Sequence, residues 1–127
     1  MTRALFEVEY VFEKGSAQLL WKMVSTATGL ADWFADQVDE KESGKFTFEW
    51  GKSQQDAVVV SLTPGVRIRF HWVDDPEPYY FEFRIESSEL TKSVTLHITE
   101  HSDEVDHKSS MNLWNAQIEV LMRKTGM

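Results

Sequence analysis

The sequence predicts an α+β domain, an antiparallel sheet of about six or seven strands closed by one long C-terminal helix. Three observations carry this. Five segments between residues 45 and 100 alternate apolar with polar residues or are rich in β-branched and aromatic ones, the period-2 signature of half-buried strands. The stretches between them are short and turn-like, so successive strands run antiparallel in a meander, with no crossover helices. Finally, Met111, Trp114, Ile118 and Leu121 recur at spacings of three and four, which is one face of a helix.

Each element has its own warrant, taken in chain order. From Leu5 to Phe12, Phe6, Val8, Tyr10 and Phe12 share one face and Glu7 and Glu9 the other, so the first strand has one buried side. Ser16 is a natural N-cap for a short helix whose Ala17, Leu20, Trp21 and Val24 recur at helical spacing. A further helical turn is expected over Gly29 to Phe34, and a weaker strand near Gln37 to Lys41. Strands then follow at Lys45–Trp50, Asp56–Leu62, Val66–Asp74, Tyr79–Glu86 and Ser93–Glu100. They are divided by Gly51-Lys52-Ser53, Pro64-Gly65, Asp75-Pro76-Glu77-Pro78 and Ser87 to Lys92. The closing helix begins between Ser102 and Ser110, with Arg123 and Lys124 placed to complement its C-terminal dipole.

Lengths agree with this arrangement. A helix of about 20 residues is about 30 Å long, and a nine-residue strand such as Val66 to Asp74 spans about the same. The apolar stripe of the helix can therefore lie along the inward residues Phe46/Phe48/Trp50, Ile68/Phe70/Trp72, Tyr79/Phe81/Phe83/Ile85 and Val94/Leu96/Ile98.

Composition bounds the function. At 127 residues the chain is expected to be a single domain, 1–127, with one core. The absence of cysteine excludes disulfides, thiolate metal sites and cysteine nucleophiles. With 13 basic against 21 acidic residues the net charge is −8, which argues against nucleic acid and anionic membranes as partners. No run approaches the ~18 apolar residues of a membrane helix, and Glu7 falls where a signal peptide would be apolar; the chain is read as cytoplasmic.

Catalytic and metal motifs are weak, and no catalytic residue, metal or cofactor is expected. His97 and His101 fall on the outward face of one strand, and His107 follows the acidic stretch Ser102 to Asp106. This is not His-Glu-x-x-His spacing; the acids suit a helix start. His71 also points outward. Gly51-Lys52-Ser53 lacks the first glycine and the strand-to-helix setting of a phosphate loop, and no Gly-x-Ser-x-Gly elbow occurs. Glu7/Glu9 and Asp74/Asp75 read as surface charges.

The order of elements resembles the helix-grip fold of the START-like (SRPBCC) superfamily, which includes the birch-pollen allergen type. The run Trp21-Lys22-Met23-Val24-Ser25-Thr26-Ala27-Thr28-Gly29-Leu30-Ala31-Asp32-Trp33-Phe34 is similar to the branch containing the C-terminal domain of the activator of heat-shock-protein-90 ATPase, and Trp114 and Leu121 fit that branch. In this setting Gly29 is expected to permit a tight turn between the two helices, with Trp33 and Phe34 plugging the open edge of the sheet. The resemblance implies an apolar or amphipathic, lipid-like ligand held between sheet and helix. A co-chaperone-type adaptor with an aromatic-filled core is the alternative, and a cyclase-like enzyme a third.

A dry, empty pocket of about 300 Å³ would cost roughly 7 kcal/mol at about 24 cal/mol per Å³, comparable with the stability of a whole domain. A ligand, water or the chain's own side chains must fill such a space. The expected cavity residues are Trp33, Phe34, Phe48, Trp50, Phe70, Trp72, Phe81, Phe83, Met111, Trp114, Asn115 and Ile118, with Asp74 and Glu100 as inward polar candidates at strand ends.

Overall fold

The computed structural model describes residues 3–127. Strand β1 (Ala4–Phe12) leads into helices α1 (Ala17–Ser25) and α2 (Ala27–Trp33). Six strands follow: β2 (Gln37–Glu42), β3 (Lys45–Trp50), β4 (Ser53–Thr63), β5 (Arg67–Trp72), β6 (Phe81–Ser87) and β7 (Val94–Ser102). A single 3₁₀ turn, Glu104–Asp106, then opens into α3 (His107–Thr125). The sheet order is β1-β7-β6-β5-β4-β3-β2, all antiparallel. Thus β2 to β7 form the expected meander, and β1, first in sequence, pairs with β7, the last strand. The α+β helix-grip architecture follows, with the concave face of a seven-stranded sheet folded around α3.

Alternation decides which face is buried. Phe46, Phe48, Ile68, Phe70, Phe81, Phe83, Ile85, Val94, Leu96 and Ile98 are all buried, and Trp114, Ile118 and Leu121 of α3 close over them. The helix ends at Gly126 (φ 73°), whose N–H donates to the Met122 carbonyl, a left-handed cap that a residue without Cβ adopts at no steric cost.

The helix pair differs from expectation at its joint. Thr26 makes the turn: its Oγ1 accepts from the Gly29 N–H (3.0 Å) and donates to the Lys22 carbonyl (2.7 Å), ending α1 and capping α2 together. Gly29 lies inside α2, where a Cβ would stand 2.2 Å from the Lys22 carbonyl oxygen and 2.6 Å from Met23 Cα. Glycine is needed for close approach of two helices, not for a turn. Trp33 and Phe34 likewise lie away from the sheet edge, in the middle of the concave face. Trp33 Nε1 donates to the Met23 carbonyl (2.8 Å), and its ring packs on Phe83 and Trp114.

Strand ends differ by a few residues. β5 stops at Trp72, because Val73 and Asp74 belong to the turn before Pro76, and β6 begins at Phe81. Asp74 is therefore a turn residue, exposed to solvent. On α3, Met111 and Asn115 are also exposed. At 3.6 residues per turn they lie about 60° and 100° round the helix from Trp114, off the stripe that meets the sheet. Among the described residues no helix is long and apolar enough to cross a membrane.

Candidate functional site

The concave interior is filled by rings. Phe34, at the C-terminus of α2, stands with its centroid 5.4–5.9 Å from those of Trp33, Phe48, Trp50, Phe81, Phe83 and Trp114. Phe70 extends the cluster to Phe46, Phe48, Phe81 and Phe83. These are the offset and edge-on separations at which aromatic pairs attract. Trp33, Phe48, Phe70, Phe83 and Ile118 thus lie in the packed core.

Open space begins where this plug ends, at the mouth between the sheet and the N-terminal half of α3. A groove of about 350 Å³ is lined there by Phe34, Trp50, Trp72, Glu100, Ser110, Leu113, Trp114 and Gln117. A second pocket of about 260 Å³ shares Trp72 and Glu100 with it and adds Arg3, Gln55, Asp56, Asp74, Asp75, Tyr79, Tyr80, Phe81 and His101. One is walled mainly by indole rings and Leu113, the other by carboxylates and phenols. A larger cleft of about 410 Å³ lies elsewhere, among Lys41, Glu42, Lys45 and Val58 of the outer strands.

Glu100 stands on the border of groove and pocket. Alternation along β7 points it inward after Ile98, and it is half-buried. Burial pushes its carboxyl pKa up, and this is offset in part by hydrogen bonds from Trp114 and Ser110 and by the nearby His107. Trp114 Nε1 donates to Glu100 Oε1 at 3.0 Å, so one indole both walls the groove and orients its acid. The floor is fixed in the same manner: the Phe34 carbonyl accepts from Trp50 Nε1 (2.8 Å) and Gln117 Nε2 (3.1 Å).

In the polar pocket Arg3 is paired with Asp75 at 2.9 Å and lies over the Tyr79 ring. Its pKa is raised, chiefly by that hydrogen bond. Asp56 accepts from Thr47 Oγ1 (2.8 Å). With one arginine against Asp56, Asp74, Asp75 and Glu100, the pocket favours a cationic or hydrogen-bond-donating group over an anion.

Of the cavity residues expected from sequence, Phe34, Trp50, Trp72, Trp114 and Glu100 line the groove, and Phe81 and Asp74 the adjoining pocket. Met111 and Asn115 line neither; Asn115 instead accepts a 2.6 Å hydrogen bond from the Tyr10 hydroxyl. Sequence reasoning missed Ser110, Leu113 and Gln117. Ser110 and Gln117 lie four before and three after Trp114, which puts both on the same side of the helix, and polar residues bordering an apolar stripe are the signal that was there to find them.

The histidines separate. His107 packs on Phe6 (4.9 Å), while His101 lies against Tyr79 and Tyr80 and its Nδ1 accepts from the Tyr80 N–H at 3.2 Å. His71 Nδ1 is 2.6 Å from the Tyr79 carbonyl. His97 is outward-facing as expected but only 7% exposed, because side chains from both neighbouring strands close over it.

Comparison with known proteins adds the following. A family model described as a START-like superfamily domain matches residues 1–127. A Bacteroides fragilis protein solved by NMR in solution is 35% identical, with 100% of this chain and 94% of that one covered and a TM-score of 0.71. The Aha1 dimer from Colwellia psychrerythraea is 16% identical, with 93% and 92% covered and a TM-score of 0.75. DynU16, a protein in the dynemicin biosynthetic locus, is 14% identical, with 97% and 47% covered and a TM-score of 0.78. The last two show likeness of fold alone. No curated protein matches the chain.

Proposed function

Because the chain belongs to the START-like superfamily, we propose that it binds a small apolar or amphipathic molecule, in the groove at the mouth of the sheet and not in a deep interior cavity. The apolar body would lie on Trp50, Trp72, Leu113 and Trp114, and a neutral or cationic polar end would meet Glu100. The observation that carries this reading is Glu100 itself, a half-buried carboxyl with raised pKa set among indole rings at the seam of two adjoining pockets. A volume of about 350 Å³ falls within the ~300–1,000 Å³ range of small-molecule sites. A groove also needs no occupant for stability, since water enters it, whereas an apolar void in the core would carry the cavity cost. Binding is the whole of the activity proposed.

Native mass spectrometry of the purified chain tests for retained ligand, and titration with a panel of lipids, sterols and long-chain amines followed by tryptophan fluorescence tests for uptake. The expected result is saturable quenching that Trp72→Ala weakens at least tenfold, with long-chain amines favoured over fatty acids of equal length. A clean apo mass together with no fluorescence change across the panel would overturn the proposal.

A further inference from the structure

On the opposite, convex face of the sheet, three donor atoms converge that neither the core nor the groove uses. In the register of β1 with β7, Glu9 faces His97 and Glu7 faces Thr99, one pair along. Both glutamates point to the outer face, as does His97. His97 Nδ1 lies 3.5 Å from Glu7 Oε1 and 3.2 Å from Glu9 Oε2. Yet Nδ1 is buried and completes no hydrogen bond with any of the described residues. On the other side of the ring, Glu86 Oε1 is 3.2 Å from Nε2.

We propose that Glu7, Glu9 and His97 form a binding site for a divalent transition-metal ion on the outer face of the sheet, with Glu86 as the residue that positions the imidazole. With Glu86 accepting from Nε2–H, the unprotonated Nδ1 faces two carboxylates, and three acceptors then point at one another with nothing between them. Metal-bound histidines characteristically donate their other ring N–H to a carboxylate in this way.

Spacing favours an ion over a shared proton. Donors held about 2.1 Å from a tetrahedral ion stand about 3.4 Å apart, which matches the 3.5 and 3.2 Å from Nδ1 to the two carboxylates, and all three donor atoms lie within 4.8 Å of one another. Neither carboxylate lies in line for a hydrogen bond with Nδ1, whereas Glu86 does so with Nε2. The charges agree. No Lys or Arg among the described residues pairs with Glu7, Glu9 or Glu86, whereas Glu82 on the same face is already committed to Arg69 (2.9 Å) and Arg67 (3.7 Å). Arg84, the cross-strand neighbour of His97, bounds the cluster on the β6 side. One imidazole and two carboxylates suit zinc or manganese better than magnesium, which takes oxygen ligands and keeps its waters. Glu7 and Glu9 are exposed, so water can complete the coordination.

The test uses the full chain after treatment with EDTA, titrated with zinc(II) by calorimetry and with manganese(II) while the imidazole resonances are followed by NMR. We expect one zinc per chain, and paramagnetic broadening by manganese that is centred on His97. Glu7→Gln and Glu9→Gln, which are surface changes, should each weaken zinc binding at least tenfold. Glu86→Gln should weaken it by about tenfold, the effect of losing a carboxylate that orients a ligand histidine, and His101→Ala should leave it unchanged. The proposal is overturned by an absence of stoichiometric zinc uptake, by uptake that survives both glutamate variants, or by zinc that excess magnesium displaces. The last outcome would mark diffuse attraction to an acidic surface.

Discussion

Phe34→Ala separates a ring that plugs the interior from a ring that merely borders a site. Phe34 is 6% exposed and touches six other rings, so truncation removes its transfer free energy and leaves neighbours that are themselves anchored. Trp50 is tied to the Phe34 carbonyl, Trp33 to the Met23 carbonyl and Trp114 to Glu100, which limits collapse into the space. The expected loss is about 3–5 kcal/mol, with about 1 kcal/mol for every ~40 Å³ of void that persists. Against a total stability of about 5–15 kcal/mol, the variant should remain folded but with a much lower urea midpoint. Because the new void opens on the groove, a small aromatic such as indole should enter it, restoring about 2.7 kcal/mol at one hundred times its Kd. Urea denaturation with and without indole, on wild type and variant, gives both numbers. A loss below 1 kcal/mol, or stabilisation by indole equal in both proteins, would refute the plug.

Gly29→Ala should destabilise the chain although alanine is the better helix former by about 1 kcal/mol. The added Cβ meets backbone of α1 at 2.2 Å, and overpacking of about 1–3 kcal/mol or more should lower the melting temperature by several degrees; an unchanged or raised value would contradict the close-approach role. Thr26→Ala removes the N-cap of α2 together with the bond to the Lys22 carbonyl, an expected cost of about 1–2 kcal/mol, read by chemical denaturation. Glu100 gives a pH test whose sign is fixed. Its carboxyl is raised above the ordinary carboxylate range by burial, so between the ordinary and the folded value the native state holds more protons than the unfolded one. Stability should fall as pH rises through that window and level off above it. Glu100→Gln should abolish this fall, and the stability gap between variant and wild type should widen with pH in favour of the variant. A gap independent of pH would mean that Glu100 is solvated.

Most of the fold was legible because it is written in local periods. Strand β3 coincides with its expected bounds at Lys45–Trp50, since Phe46, Phe48 and Trp50 alternate cleanly and Gly51 (φ 56°) turns the chain. What failed was set by distant partners. Gly29 looks like a turn residue until α1 is seen lying against it. Asp74 continues an alternating pattern that the backbone has already left. His97 looks like a surface residue until the register of β1 and β6 brings Glu7, Glu9 and Glu86 around it. The candidate site was half legible for the same reason: the aromatics could be assigned to one face, but not divided between plug and groove.

That division bears on how the groove selects what it holds. If the rings were a fluid apolar lining, the mouth would adapt to many shapes, and affinity would follow buried area alone. Instead its walls are pinned by polar bonds. Two side chains from different elements, Trp50 of β3 and Gln117 of α3, donate to the single carbonyl of Phe34, and Trp114 spans from α3 to Glu100 on β7. Each bond fixes an aromatic or polar wall relative to another element, so opening the groove wider means breaking hydrogen bonds that cost about 1–3 kcal/mol apiece when left unmade. A ligand that fits the existing space avoids this cost and gains from a preorganised surface; a bulkier one must displace Gln117 or Trp50 first. Gln117→Ala, which frees one wall without removing apolar surface, should therefore broaden the range of ligand sizes accepted while weakening the binding of the best-fitting one.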